Sequence, residues 1–152
     1  MIKIFDYIKF CAKSKTNHGV HSPFVYNLIT SCFFNEKWIR KRKNIFTNKS
    51  LKNNSLYIIK ELKSFMKNYN YHNQSNQIIL NIYSKDNPLK SIEKLNKKYT
   101  DFILFLENCQ TLRPIIKIAV KEKKYVLIDF YFWALVLKRK GKQAEYFKIR
   151  II

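Results

Sequence analysis

Apolar residues recur at helical spacing through the first part of the chain and crowd into short alternating runs in the last part, and this change of period organises the reading. Met1, Ile4, Phe5, Ile8, Cys11 and Ala12 share one face of a predicted amphipathic helix, opposite Lys3, Asp6, Lys9 and Lys13. A second helix is predicted from Pro23 to about Phe34, with Val25, Leu28, Ile29, Cys32 and Phe33 along its stripe, and the two should pack as a helical pair. A third carries Ile58, Leu62, Phe65, Met66 and Tyr69 on one side; residues 68–76 have no period and read as a loop.

From Gln77 onward strands and helices alternate. Residues 77–83 form a short apolar strand, Asn87 caps and Pro88 starts a helix with Leu89, Ile92 and Leu95 inward, and residues 101–106 form another strand. Residues 111–122 are helical, with Leu112, Ile115, Ile116 and Ala119 in register and Pro114 tolerated in the first turn. Such alternation predicts a parallel sheet flanked by helices. Tyr125 to Lys138 reads as one long strand, with Val126, Ile128, Phe130, Phe132, Ala134 and Val136 on one face and Leu127, Asp129, Tyr131, Trp133 and Leu135 on the other. A turn at residues 139–142 and a strand over 145–151 complete a predicted β-hairpin. Asp129 interrupts two apolar faces, so its carboxylate must find a partner or a cleft. The predicted organisation is a helical pair (1–36), a basic polar linker (37–54) and an α/β domain (55–152).

Composition adds a partner question. The 152 residues are 47% hydrophobic, which argues against disorder, yet carry a net charge of +20. That charge suits RNA, DNA or an anionic membrane surface. AT-rich codon usage also explains it, because only five of the thirty basic residues are Arg (40, 42, 113, 139 and 150), and nucleic-acid readers favour Arg for bidentate contacts. The candidate nucleic-acid residues are Arg40, Lys41, Arg42 and Lys43, which otherwise form a solvated linker, together with Lys138, Arg139, Lys140 and Lys142. Cys11, Cys32 and Cys109 are widely spaced, so a disulfide framework or zinc site is not expected and a reducing cytoplasm fits. Lys3, Asp6 and Lys9 argue against a signal peptide, and the longest apolar run, 125–137, falls short of the roughly 20 residues that span a bilayer.

Two of the three histidines lie in His18-Gly19-Val20-His21-Ser22-Pro23, a loop that turns into the second helix. Gly19 frees the backbone there, Ser22 is placed to cap the helix, and Pro23 fits its first position. His18 and His21 are candidates for a general-base pair or for phosphate contacts. The structural alternative has His18 bonded to a backbone carbonyl and His21 packed against Tyr26. No metal is expected, since two histidines three apart supply too few ligands. Asp86 reads as a helix cap beside Asn87, Glu107 and Asn108 are candidates by their place after a strand, and no serine or cysteine has the surroundings of an activated nucleophile.

His18 to Val25, the segment Ile128-Asp129-Phe130-Tyr131-Phe132-Trp133 and Phe147-Lys148-Ile149-Arg150 together resemble a bacterial family of class I S-adenosylmethionine-dependent methyltransferase-like proteins. The resemblance implies a Rossmann-like sheet, S-adenosylmethionine as cofactor, and His18, Gly19, His21, Ser22, Asp129 and Trp133 as signature and possible site residues. The chain departs from that pattern. Its only glycines are Gly19 and Gly141, so the acidic, glycine-rich cofactor turn is absent, and no carboxylate matches the family's ribose ligand. The remaining strands would be the family's fourth (77–83), fifth (102–106), sixth (125–138) and seventh (145–151), in the spatial order fourth, fifth, seventh, sixth, with the last antiparallel between its neighbours. The edge formed by 77–83 would lie open to a partner strand or a second copy. The expectation is a truncated Rossmann-like methyltransferase sheet that is non-catalytic as it stands. The alternatives are a basic RNA-associated protein and a methyltransferase completed by a partner chain.

Overall fold

The computed structural model of the chain describes residues 4–14, 20–34, 36, 48–72, 78–82, 87–107, 113–122, 124–140 and 143–150. These contain five helices, α1 (Ile4–Ala12), α2 (Pro23–Phe33), α3 (Asn48–His72), α4 (Pro88–Lys98) and α5 (Arg113–Glu122). They also contain five strands, β1 (Ile79–Ile82), β2 (Phe102–Glu107), β3 (Val126–Asp129), β4 (Trp133–Lys138) and β5 (Glu145–Lys148). The strands form one open mixed sheet in the order β1-β2-β4-β3-β5. β1 runs parallel to β2 and β3 parallel to β5, while β4 is antiparallel to both its neighbours.

Helices cover both faces, which is why the central strands are apolar on both sides. On one face Ile103, Phe105, Val126, Ile128, Leu135 and Leu137 meet Val25, Leu28 and Ile29 of α2 and Ile58, Leu62 and Met66 of α3. On the other, Phe102, Leu104, Leu106, Leu127, Ala134 and Val136 meet Ile92 and Leu95 of α4 and Ile116 and Val120 of α5. The fold is therefore α/β, with an antiparallel member in its sheet.

The expected long strand is two strands joined by the turn Phe130-Tyr131-Phe132. Asp129 makes the turn: its Oδ1 accepts the Tyr131 N–H at 2.9 Å, Phe130 N donates to Trp133 O at 2.9 Å, and Tyr131 takes φ 75°. Asp129 pairs with Ala134, and the even number of residues between them, four, reverses the side-chain parity. Ala134 and Val136, expected beside Val126 and Ile128, lie on the opposite face with Leu127, and Leu135 and Leu137 take their place. The final strand differs as well. It was expected antiparallel between two others, but that position is held by β4, so β5 pairs parallel with β3 at the sheet edge.

The helices show smaller shifts. In α1 Ile8 is 58% exposed, and Tyr7 and Phe10 turn inward instead, onto the Tyr131 and Phe132 rings. α1 thus packs on the β3–β4 turn, and the main helical neighbour of α2 is α3 rather than α1. α3 begins inside the segment read as linker and runs on through part of the segment read as loop. Its last turn is tied to the sheet by Asn70, whose amide donates to Ile78 O and accepts from Ile78 N, both at 2.9 Å. In α5 the inward positions are Ile116 and Val120, and Ile115 is exposed. Asn87 caps α4 as its sequence implies, accepting from Leu89 N at 2.9 Å, whereas Ser22 precedes Pro23 without a side-chain cap. Among the described residues no helix is long and apolar enough to cross a membrane, and Cys11 and Cys32 are free thiols.

Candidate functional site

Asp129 ends β3 and is 1% exposed, the one buried charged residue among those described. Four donors meet its carboxylate. Arg113 donates from Nε to Oδ2 at 2.6 Å and from Nη2 to Oδ1 at 3.1 Å, Tyr146 donates its hydroxyl to Oδ2 at 2.9 Å, and Tyr131 N donates to Oδ1. Arg113 Nη2 also donates to Tyr131 O at 2.8 Å, so both peptide groups of the left-handed Tyr131 are held. A left-handed backbone costs a bulky residue of order 1–3 kcal/mol and persists where surroundings over-determine it. Arg113 stands in the first turn of α5, where the helix dipole disfavours a cation, and Asp129 offsets that. Its guanidinium lies 5.4 Å from the Phe10 ring centre and 5.1 Å from that of Tyr131.

The rest of that sheet end is filled by aromatic rings. Phe33 stacks on Phe130 at 3.9 Å, and Tyr7 stacks on Phe132 at 5.5 Å. Trp133, at the start of β4, is buried and donates its indole N–H to Ser55 Oγ of α3 at 2.7 Å, joining that helix to the sheet. Glu107 pairs with Trp133 across β2 and β4 and is half-buried. The residues around the β3–β4 turn therefore form a packed plug of rings rather than a glycine-lined cradle of the kind S-adenosylmethionine takes.

His21 is exposed and does not pack as a staple; it lines a cavity of about 380 Å³ together with Lys13, Lys117, Tyr146, Phe147, Lys148 and Ile149. Lys13 follows α1, Lys117 lies one helical turn after Arg113 on α5, and Lys148 is the residue of β5 in register with Asp129. The Tyr146 ring sits among them, 4.3 Å from Lys117 Nζ and 6.0 Å from Lys148 Nζ. The Lys148 ammonium is held below the usual lysine range, first by burial and then by Lys117, with Lys13 and Arg113 adding to the repulsion and Asp129 opposing it. Burial, and then Glu61, pushes the Cys32 thiol well above its ordinary range, so it is no nucleophile near neutrality.

The other sequence candidates separate. Ser22 lies on a different cavity, about 680 Å³ between α2 and α3, with Phe24, Phe65, Tyr69, His72 and Arg139. Arg139 is engaged there, 4.1 Å from the Phe24 ring centre and donating to Tyr69 Oη at 3.1 Å. Lys138 donates to Asn96 Oδ1 at 2.6 Å, and Lys140, exposed, donates its backbone N–H to Asp101 Oδ1. His18, Gly19, Arg40, Lys41, Arg42, Lys43, Asp86, Asn108, Cys109 and Lys142 lie outside the described residues. No cluster of His, Cys, Asp or Glu suited to a metal occurs among the described residues. Sequence reading missed Arg113, Tyr146 and the three lysines, which meet only through the parallel β3–β5 pairing; a lone Asp in an apolar run was the one pointer toward a buried cation. Compared with family models, curated proteins and solved structures, the chain has no match in any of the three.

Proposed function

We propose that this chain is a shortened relative of the class I S-adenosylmethionine-dependent methyltransferase-like proteins that acts by binding rather than by catalysis. The carrying observation is Asp129. The residue that the resemblance marks as a possible site residue has its lone pairs taken by Arg113, Tyr146 and Tyr131, and serves as the lock of a turn. Trp133 is likewise a buried anchor. Kinship with the family is supported by the run β1-β2-β4-β3, parallel strands interrupted by one antiparallel member, the pattern the resemblance implies but carried by 133–138 in place of 145–151. The outer side of β1 carries no strand among the described residues and is the proposed place for a partner strand or second copy.

Calorimetry of the purified chain with S-adenosylmethionine tests the reading: no saturable heat is expected at millimolar cofactor, and micromolar binding would overturn it. RNA association is the second reading, favoured by the +20 charge. It requires affinity that falls steeply with salt, and absence of binding to RNA at low salt ends it.

A further inference from the structure

From the cavity at the β5 edge we infer a binding site for a phosphate dianion or a diphosphate, free or at the end of a larger molecule, formed by Lys13, His21, Lys117 and Lys148. Four elements separated in sequence bring these groups to one concavity, and its roughly 380 Å³ falls within the range of small-ligand sites. No side-chain nitrogen of the four makes a hydrogen bond or ion pair among the described residues. The neighbouring carboxylate, Asp129, is in register with Lys148 but is already engaged by Arg113 and Tyr146, so it offsets the lysines' charge only in part.

That arrangement is unfavourable without a ligand. Like charges held together repel, and the half-buried Lys148 is partly desolvated as well. A doubly charged oxyanion relieves both costs, because each ammonium becomes a charge-assisted donor to its oxygens. Both lysines lie beside the Tyr146 ring, Lys117 Nζ at 4.3 Å and Lys148 Nζ at 6.0 Å from its centre, so two ammonium groups can share the oxygens of one multivalent anion. His21 adds a donor from the loop that leads into α2. The site rests on charge and shape at this edge and not on kinship with any methyltransferase, so it stands or falls independently of cofactor binding.

The test is calorimetry of the full chain with inorganic pyrophosphate, with a nucleoside monophosphate and with the matching unphosphorylated nucleoside. Saturable one-to-one binding of pyrophosphate is expected. The double substitution Lys117→Gln and Lys148→Gln should weaken it by about tenfold or more, while Lys117→Arg with Lys148→Arg, which keeps the charges, should retain most of it. A control pair of equal charge change on exposed helix positions, Lys60→Gln with Lys94→Gln, should leave affinity within about twofold. Pyrophosphate binding without nucleotide binding identifies a free phosphate ligand; equal binding of both identifies a terminal phosphate on a larger molecule. Absence of pyrophosphate binding, equal loss in the control pair, or no loss in a Lys117→Gln/Lys148→Gln protein that melts as wild type would overturn the inference.

Discussion

Replacing Asp129 with Asn keeps the shape of the turn but removes the buried charge that pairs with Arg113. One amide oxygen can still accept from Tyr131 N and Arg113 Nη2, but the amide nitrogen then faces Arg113 Nε, a donor against a donor. Breaking a buried pair by removing one partner costs about 3–5 kcal/mol. The Arg113 side chain is 23% exposed against 1% for Asp129, so water recovers part of this, and the expected loss is about 3 kcal/mol. For a chain of this size that lowers Tm by roughly 10 °C. Urea unfolding followed by circular dichroism measures it directly. Arg113→Met should cost at least as much, because it leaves the buried Asp129 carboxylate without its cation, and the double variant should be clearly more stable than the sum of the single losses predicts. An Asp129→Asn loss below about 1 kcal/mol, or strict additivity, would refute the view of Asp129 as the lock of the turn.

Further outcomes follow from the same geometry. Trp133→Phe leaves Ser55 buried without its indole donor and should cost about 1–3 kcal/mol in urea unfolding. Asn70→Ala removes both bonds to Ile78 and should speed hydrogen exchange across β1 well before the rest of the sheet. Lys148→Met should be more stable than wild type near neutral pH. Because the folded-state pKa of Lys148 is lowered, the wild type carries a penalty while this lysine is charged, and it is relieved as pH rises through that lowered value toward the usual 10.5. The stability gap should therefore narrow over that window. Tyr125 and Tyr131, both raised from 10.0 with burial as the first cause, destabilise the fold above about pH 10 in wild type and variant alike, so the difference isolates Lys148.

Local signals in the sequence carried far. Asn87-Pro88 marked the start of α4, and the stripe Val25, Leu28, Ile29, Cys32, Phe33 is wholly buried on α2. Failures came where tertiary partners overrule local pattern. Ile8 fits an apolar stripe of α1, but the rings of Tyr7 and Phe10 find larger partners in the Tyr131 turn and rotate the helix. The run from Tyr125 to Lys138 alternates without a glycine or proline, so nothing in its period announces a turn; the turn is made by one aspartate accepting from an amide two residues on, a role that its charge hid. Because that turn shifts parity and moves the last strand to the edge, the lysine cavity could not be assembled from sequence order. His21 was legible as a phosphate contact, but its companions were not.

The proposed binding at the β5 edge, in place of a methyl-donor cleft, can be read residue by residue. A single amide-resolved NMR titration of the isotope-labelled chain tests it most directly, with S-adenosylmethionine added first and pyrophosphate second. No saturable shifts are expected from the first addition, and from the second a saturable set confined to Lys13, His21, Lys117 and residues 146–149. Saturable shifts from S-adenosylmethionine, or pyrophosphate shifts scattered over the lysine-rich surface without a centre at β5, would contradict it.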